Sequence, residues 1–271
     1  MTKMNFWRNS MKDIQLNIQN VGSCIVPEGW YLSHQVKMQR LYYIKGGKGF
    51  VRDGSGAHIP FEPGKIYIHP YNLVADYQSD PVDPIDHVYF DFLSTPPIIS
   101  DEPIVYHPSL DSAAVALIKS AECLCREIQK KELPHKSKPM VASPWVSKDC
   151  AYGQVFHGLL GALLTMLSME KSIPFSTDTV VIHALETIRH DYRSAISVSS
   201  LAAEAGFEVH HFIRRFKRVM GMTPYAYLRT YRLIKAKELI DGGMSITAAS
   251  ACVGYESAAA LSRALKQNGY Q

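Results

Sequence analysis

The sequence predicts an α+β protein with two domains: a strand-rich N-terminal domain completed by helices, and a C-terminal domain made only of helices. Three observations lead to this prediction. Short apolar runs separated by Gly turns occupy residues 23–92, helical periodicity begins near Leu110, and the last third of the chain contains an internal repeat. The length of 271 residues fits two domains of roughly 100–200 residues each.

The N-terminal strands are short and closely spaced. Gly46-Gly47, Asp53-Gly54 and Pro63-Gly64 separate several of them, and such dipeptides mark turns. This spacing favours a sandwich or a small barrel. The predicted strands are Leu41–Lys45, Gly49–Arg52, Ala57–Phe61, Lys65–His69 and His87–Phe92.

Two helices are predicted after the strands. Leu110–Lys131 has helical periodicity, whereas Tyr152–Met169 is apolar almost all round, so we expect the second helix to be buried against the barrel, another helix or another subunit. Pro134–Ser147 is rich in Pro, Ser and Lys and is predicted to be a surface loop. The face of the first helix would contain Ala113, Leu117, Ala121 and Leu124.

A linker is predicted where Pro174 and neighbouring Ser and Thr residues interrupt the helical pattern. The domains would then be residues 1–170 and 179–271, joined by residues 171–178. The charge differs between these parts. Residues 179–271 contain 12 Lys and Arg against 7 Asp and Glu, whereas the rest contains 17 against 18. The excess is expected of a segment that meets phosphates, although a solvated basic face would look similar.

The repeat has two halves in each copy. Its pattern, a short helix, a Gly turn and a basic second helix, is the layout of a helix-turn-helix, and two tandem copies favour DNA binding. The first half aligns Ser197, Val198, Leu201, Ala202, Ala205, Gly206 and Phe207 with Ser245, Ile246, Ala249, Ser250, Val253, Gly254 and Tyr255. The second half aligns Phe212, Arg214, Phe216 and Lys217 with Leu261, Arg263, Leu265 and Lys266.

In the first copy, Ser197 is the predicted N-cap of a helix that ends near Ala205, and Gly206 supplies the turn. Phe207 is expected to enter the core. A second helix, about Glu208–Met220, would turn Phe212, Phe216 and Val219 inward. It would present Val209, His210, Ile213, Arg214 and Lys217 on its other surface, where Arg can pair with guanine and apolar atoms can touch a thymine methyl.

A connecting helix is predicted between the copies. Thr223 would cap it, Pro224 would take its first position, and it would end at Gly242-Gly243 after about Ile240. Its 17 or so residues would span roughly 26 Å. Two helix-turn-helix motifs, here called heads, could contact one face of DNA from the two ends of such a helix, because successive major grooves lie about 34 Å apart. If the two heads lie closer together than one turn of DNA, the DNA must bend.

The run Val198–Lys217 with Gly221, Thr223-Pro224, Tyr227-Leu228 and Arg232-Leu233 resembles the DNA-binding domain of the AraC/XylS family of transcription regulators. The resemblance covers about a third of the chain. It implies a seven-helix domain whose two recognition helices enter adjacent major grooves. Carried over by position, the base-facing residues would be His210, Ile213 and Arg214, then Ala258, Ala259, Ser262 and Arg263. Lys217, Arg218 and Lys266 would be further DNA contacts.

The second copy departs from the family pattern. Ala249-Ser250 stands where the family usually has Ile-Ala, and Leu265 stands where it usually has Phe. Because its recognition helix carries Ala258, Ala259 and Ala260 in a row, we expect it to grip phosphates through Arg263 and Lys266 more than it reads bases. The family's closing Gly-x-x-Pro segment is absent, so the sequence is either a truncated piece or one with an unusual end.

The strand-rich part, notably Tyr42-Tyr43-Ile44-Lys45-Gly46 and Val88-Tyr89-Phe90-Asp91-Phe92, is similar to the cupin-like β-barrel with which this family senses a small molecule. Position matching with sugar-sensing relatives implies a ligand site. For each residue an ordinary structural role stays open. The implied ligand-binding residues are Lys45, Asp76, Tyr77, His87 and Tyr89.

Catalysis is not expected. Metal-dependent barrels of this kind need a His-x-His pair with a third His, whereas His34, His58, His69 and His87 are isolated. The chain shows no persuasive nucleophile or carboxylate pair, so neither a catalytic residue, a metal site nor a cofactor is predicted. The alternatives left open are a cupin-type small-molecule enzyme and a sensor without specific DNA binding.

The remaining expectations concern assembly and location. The resemblance implies a homodimer formed by the helices after the barrel, although packing of that face on its own barrel is an equal alternative. No apolar run reaches the ~18 residues of a membrane span, and five scattered cysteines argue against a disulfide framework, so the cytoplasm is expected. Together these features predict a ligand-responsive regulator that binds double-stranded promoter DNA, senses a sugar or related metabolite, and changes promoter occupancy or contact with RNA polymerase. The candidate dimer face contains Leu159, Leu160, Leu163, Leu164 and Leu167.

Overall fold

A computed structural model describes residues 14–27, 31–35, 38–53, 56–132, 140–142 and 146–267. These residues form two compact units that separate between Phe175 and Ser176, inside the predicted linker. Most of the predicted Pro134–Ser147 loop, the side chain of His34 and the last four residues of the chain lie outside the described residues.

The N-terminal unit contains two facing β-sheets. One has the strand order β10-β1-β8-β3-β6-β9, the other β2-β7-β4-β5, and neighbouring strands are antiparallel. This arrangement agrees with the predicted barrel-like α+β fold. The strands are β1 Gln15–Ile25, β2 Tyr31–Gln35, β3 Gln39–Gly46, β4 Gly49–Asp53, β5 His58–Pro60, β6 Ile66–His69, β7 Val74–Ser79, β8 Asp86–Thr95, β9 Ile104–Tyr106 and β10 Met140–Ala142.

Two helices, α1 (Ala113–Glu132) and α2 (Ala151–Glu170), pack on the outer face of the larger sheet. Of the predicted face of α1, Ala121 is buried and Leu117 and Leu124 are half-buried against the core, whereas Ala113 is exposed. Apolar side chains three and four residues apart form the face that is in fact buried. These are Ala114, Val115, Ile118, Ala121, Cys125 and Ile128.

The second helix is buried on one face rather than all round. Val155 is 50% exposed and Met169 is 82% exposed, whereas Phe156 is fully buried. Of the five leucines of the candidate dimer face, Leu159 alone is half-buried and the other four lie in the core against the sheet. For these leucines the structure supports packing on their own barrel.

The C-terminal unit contains six helices within the part of the chain that the structure describes, whereas the resemblance implies seven. Both helix-turn-helix copies are present, as α4–α5 and α7–α8, and α6 connects them. The helices are α3 Thr179–Asp191, α4 Val198–Glu204, α5 Val209–Met220, α6 Pro224–Asp241, α7 Ile246–Cys252 and α8 Ala258–Gln267.

The helix ends are set by side-chain caps and glycines. The Oγ of Ser197 accepts from the Ser200 amide and Thr223 accepts from the Ala226 amide, which confirms the two predicted caps, and Ser245, which aligns with Ser197, accepts from the Ala248 amide. Gly206 and Gly254 close the two turns with φ of 72° and 76°, a region that favours glycine.

The two turn glycines differ in the space around them, and this difference can be tested. A Cβ at Gly206 would meet no atom within 4 Å, whereas one at Gly254 would lie 2.9 Å from the Arg193 carbonyl oxygen. Gly206→Ala should therefore lower the free energy of unfolding by the backbone strain alone, about 1–2 kcal/mol. Gly254→Ala should cost about 1–3 kcal/mol more. Urea titrations followed by helical circular dichroism would measure both, and equal losses would contradict the assignment.

Candidate nucleic-acid interface and barrel interior

Helix α5 is anchored by one apolar face. Phe212 and Phe216 are fully buried and Met220 is buried, while Val219 is half-buried instead of forming part of the predicted inward face. Phe207 is also half-buried rather than a core side chain. Burial of this face fixes the rotation of α5 about its axis, and therefore determines which residues face outward.

The outward face of α5 is basic. His210, Arg214, Lys217 and Arg218 are exposed, and Ile213 is half-buried beside them. Glu208 caps the helix by accepting a hydrogen bond from the His211 amide at 3.0 Å. All five DNA-binding residues predicted in the first copy thus lie on a surface that solvent reaches.

An open groove of about 280 Å³ runs along α5 between His211, Arg214, Arg215 and Arg218. Sequence reasoning missed His211, whose ring stacks on Phe207 with centroids 5.2 Å apart. Its spacing of three, four and seven residues from the three arginines would have indicated the shared face.

Arg215 combines two structural contacts with its place in the groove. Its Nε donates to the Asp178 carboxylate at 2.8 Å, and its guanidinium lies over the Phe207 ring. Asp178 also caps α3 by accepting from the Val181 amide, and Arg215 helps to hold the pKa of this carboxyl below its usual value although burial opposes the shift. Arg215 therefore ties α5 to the start of α3.

Helix α8 presents a smaller outward surface. Leu261, Ala264 and Leu265 are buried, whereas Ala259, Arg263 and Lys266 are exposed. Ala258 and Ser262 are half-buried. The predicted residues of the second copy are therefore reachable, but hydrogen-bonding side chains are fewer than on α5.

Within the barrel, a buried ion pair lies among aromatic rings. The Arg40 guanidinium donates to both carboxylate oxygens of Asp91, at 2.6 and 3.1 Å, and to the Tyr42 hydroxyl at 3.3 Å. The Asp91 side chain is 2% exposed and that of Arg40 is 18% exposed. A bidentate pair of this kind is geometrically specific. Sequence reasoning did not propose either residue.

The five predicted ligand residues are not brought together. Tyr77 and Tyr89 belong to the core cluster between the sheets, and the His87 ring lies 5.3 Å from the Tyr89 ring. Lys45 instead pairs with Glu122 of α1 at 2.9 Å, outside the barrel. Asp76 pairs with Arg52 on the outer face of the smaller sheet.

His87 has an unusual environment. Its Nδ1 is buried without a hydrogen-bond partner among the described residues. Burial and the nearby Arg40 charge lower the pKa of His87 to about 4, although a hydrogen bond with the Cys24 backbone acts in the opposite direction. The ring is therefore neutral near pH 7, with one nitrogen available to a further polar group.

Within the described ranges, no group of three or more His, Cys, Asp and Glu side chains is placed to hold a metal ion. None of the described helices combines the length and apolar character needed to cross a membrane.

Comparisons with known proteins agree with these observations. A family model described as a helix-turn-helix domain matches residues 183–268. A putative AraC-like transcription regulator of Streptomyces antibioticus is 34% identical over 91 residues, 33% of this chain and 30% of that protein. The uncharacterised HTH-type transcriptional regulator YbfI of Bacillus subtilis is 29% identical over 73 residues, 27% of this chain and 26% of that protein. The match thus spans less than a third of either relative.

Solved structures resemble the whole chain. ToxT from Vibrio cholerae O395 is 10% identical with a TM-score of 0.51, and the match covers 94% of this chain and 93% of that chain. ToxT bound to (E)-4-(8-methylnaphthalen-1-yl)but-3-enoic acid matches with a TM-score of 0.52 at 9% identity, over 93% of this chain and 94% of that chain. At such low identity the likeness shows a shared fold.

The neutral state of His87 predicts how stability depends on pH. In the unfolded chain His87 has an ordinary pKa near 6.5. Between pH 6.5 and pH 4 the unfolded chain therefore binds a proton at this residue, whereas the folded chain does not. Stability of the N-terminal unit should therefore fall as pH drops from about 6.5 to 4, with His87 accounting for up to roughly 3 kcal/mol.

His87→Gln should remove this part of the pH dependence, and His107→Gln, at an exposed position, should leave it unchanged. Urea titrations at pH 7 and pH 4.5 would measure it by tryptophan fluorescence, because all three tryptophans, Trp7, Trp30 and Trp145, precede residue 176 in the sequence, at which the C-terminal unit begins. The same pH dependence in wild type and His87→Gln would refute the assignment.

Proposed function

We propose that this chain, whose C-terminal unit is a helix-turn-helix domain like that of AraC-like regulators, is a transcription regulator that binds promoter DNA and responds to a small molecule. The observation that supports this proposal is the basic outward face of α5. Three exposed cationic side chains, Arg214, Lys217 and Arg218, lie along this helix, and Arg214 is near the middle of the exposed face. A helix of this kind fits the major groove and attracts phosphates on either side of it.

In this proposal the first head (α4–α5) and the second head (α7–α8) have different roles. In α5, His210, Ile213 and Arg214 supply hydrogen-bonding and apolar contacts to base edges, while Lys217 and Arg218 contact phosphates. In α8, Ala258 and Ala259 offer little beyond methyl contacts and Ser262 offers one hydroxyl. Arg263 and Lys266 supply the charge there. The first head therefore carries most of the sequence discrimination.

The assignment of Arg214 to base readout is testable. Arg214→Ala should weaken binding to the selected site by about 1–3 kcal/mol and relax specificity at one base pair. Lys217→Ala should instead weaken binding to all sequences alike and reduce its salt dependence by about one counterion. Titrations on sites selected from a random DNA pool, at several salt concentrations, would separate the two. Unchanged affinity of Arg214→Ala for the selected site would rule out its role.

For the N-terminal unit, we propose a sensor that takes a small polar molecule into the barrel interior. The supporting observation is the unpartnered Nδ1 of His87, since a buried acceptor left unmet costs about 1–3 kcal/mol and a ligand hydroxyl could satisfy it. The rings of Tyr42 and Tyr89 lie beside His87, with centroids 5.4 and 5.3 Å from its ring, and aromatic rings of this kind suit a sugar or an aromatic group. Lys45 and Asp76 face away from the barrel interior and are not part of the proposed site. Dimer formation and contact with RNA polymerase remain parts of the proposal.

Effector binding would appear as a thermal shift, because a ligand that prefers the folded state raises stability in proportion to RT ln(1 + [L]/Kd). The panel should contain neutral sugars and carboxylic acids, since ToxT has been solved with a naphthalene-bearing butenoic acid. A ligand at 100 times its Kd should add about 2.7 kcal/mol. The response should be lost in His87→Phe, which has no ring nitrogen, and retained in His107→Phe. A ligand that shifts wild type and His87→Phe equally would move the site away from His87.

A further inference from the structure

Arg232 occupies a point where three parts of the C-terminal unit meet. It lies in α6, and its guanidinium donates to three backbone carbonyl oxygens that belong to two other segments. The acceptors are Tyr192 at 2.7 Å, Ser194 at 2.7 Å and Gly254 at 3.2 Å.

These acceptors connect the two heads. Tyr192 and Ser194 lie in the segment that leaves α3 and leads into α4, the first helix of the first head. Gly254 is the turn residue between α7 and α8, the two helices of the second head. Arg232 therefore bridges the entrance of one head and the turn of the other, from the helix that connects them.

The backbone around Gly254 is packed closely against both Arg193 and the Arg232 guanidinium. A Cβ at Gly254 would lie 2.9 Å from the Arg193 carbonyl oxygen and 3.2 Å from the Arg232 guanidinium. The turn of the second head thus approaches the backbone of the segment before the first head directly. Each side-chain nitrogen of Arg232 donates to a different carbonyl, so the planar guanidinium holds these two backbone segments in one geometry relative to α6.

We propose that Arg232 is the positioning residue that sets the angle between the two recognition helices, and thereby the spacing of half-sites that the protein accepts on DNA. The proposal rests on the proposed function for its DNA consequence, while its structural content concerns the unbound protein. The shorter amide side chain in Arg232→Gln would reach at most one of the three carbonyls. This substitution should therefore loosen the heads relative to each other while leaving each head folded.

The first experiment measures affinity for sites in which one or two base pairs are added or removed between the half-sites, together with a site that keeps only the half read by α5. Wild type should prefer one spacing by tenfold or more. Arg232→Gln should lose this preference and bind the full site about tenfold more weakly, with affinity for the single half-site unchanged. Arg232→Lys should fall between the two.

Lys237→Gln is the matched control, because it removes the same charge from the same helix, and the ion pair of Lys237 is with Asp241, also in α6. It should keep the wild-type spacing profile. If folded Arg232→Gln keeps a sharp spacing preference, or loses affinity for half and full sites in equal proportion, the positioning role is overturned.

The second experiment needs no DNA. Residual dipolar couplings of the amides of α5 and α8 in the full chain should fit one alignment tensor in wild type and in Lys237→Gln, and should need two in Arg232→Gln. One tensor in all three proteins would overturn the proposal. Wild type that binds no DNA selectively would instead refute the proposed function and leave this structural result standing.

Discussion

The C-terminal unit depends on the burial of α6 on almost every side. Each helix-turn-helix copy consists of two short helices and cannot bury an adequate core alone. Both copies therefore pack their apolar side chains against the same connecting helix, α6. Aromatic rings continue this contact from Phe216 of α5 to Tyr227 and Tyr231 of α6 and on to Tyr192, with successive centroids 5.4–6.3 Å apart. Because one helix completes both cores, its length and its side chains determine the arrangement of both heads at once.

The C-terminal fold could be predicted from the sequence because its signals are local. Ser197, Thr223 and Ser245 cap helices within three residues of their own position, and Gly206 and Gly254 mark turns by themselves. Several strands of the barrel lack such signals. In strand β7 the polar Ser79 is buried together with Ala75 and Tyr77, whereas the apolar Val74 is 52% exposed, so the two ends of the strand depart from the usual apolar alternation. In strand β1 five of the eleven residues are Gln, Asn or Ser, and an irregularity between Ile18 and Asn20 breaks the alternation of inward and outward side chains.

The candidate sites show the same contrast. The outward face of α5 follows from helical spacing, since three inward side chains define the opposite surface. The pairing of Arg40 with Asp91 joins residues 51 positions apart and depends on the register of β3 against β8, which no local pattern contains. Strand register also explains why Lys45 and Asp76, which were predicted to bind a ligand, face away from the barrel interior. Neighbouring residues of a strand face opposite sides of a sheet, and position matching cannot tell those sides apart.

The unequal recognition helices bear on how a protein of this kind would travel along a chromosome. With the roles proposed above, contacts from Arg263 and Lys266 to phosphates would be nearly the same at every position on the duplex and would hold the protein on DNA while it slides. Contacts from His210 and Arg214 to base edges would form only at a matching sequence and would stop the motion there. A change in α8 would then alter the time that the protein spends searching more than the sequence at which it stops.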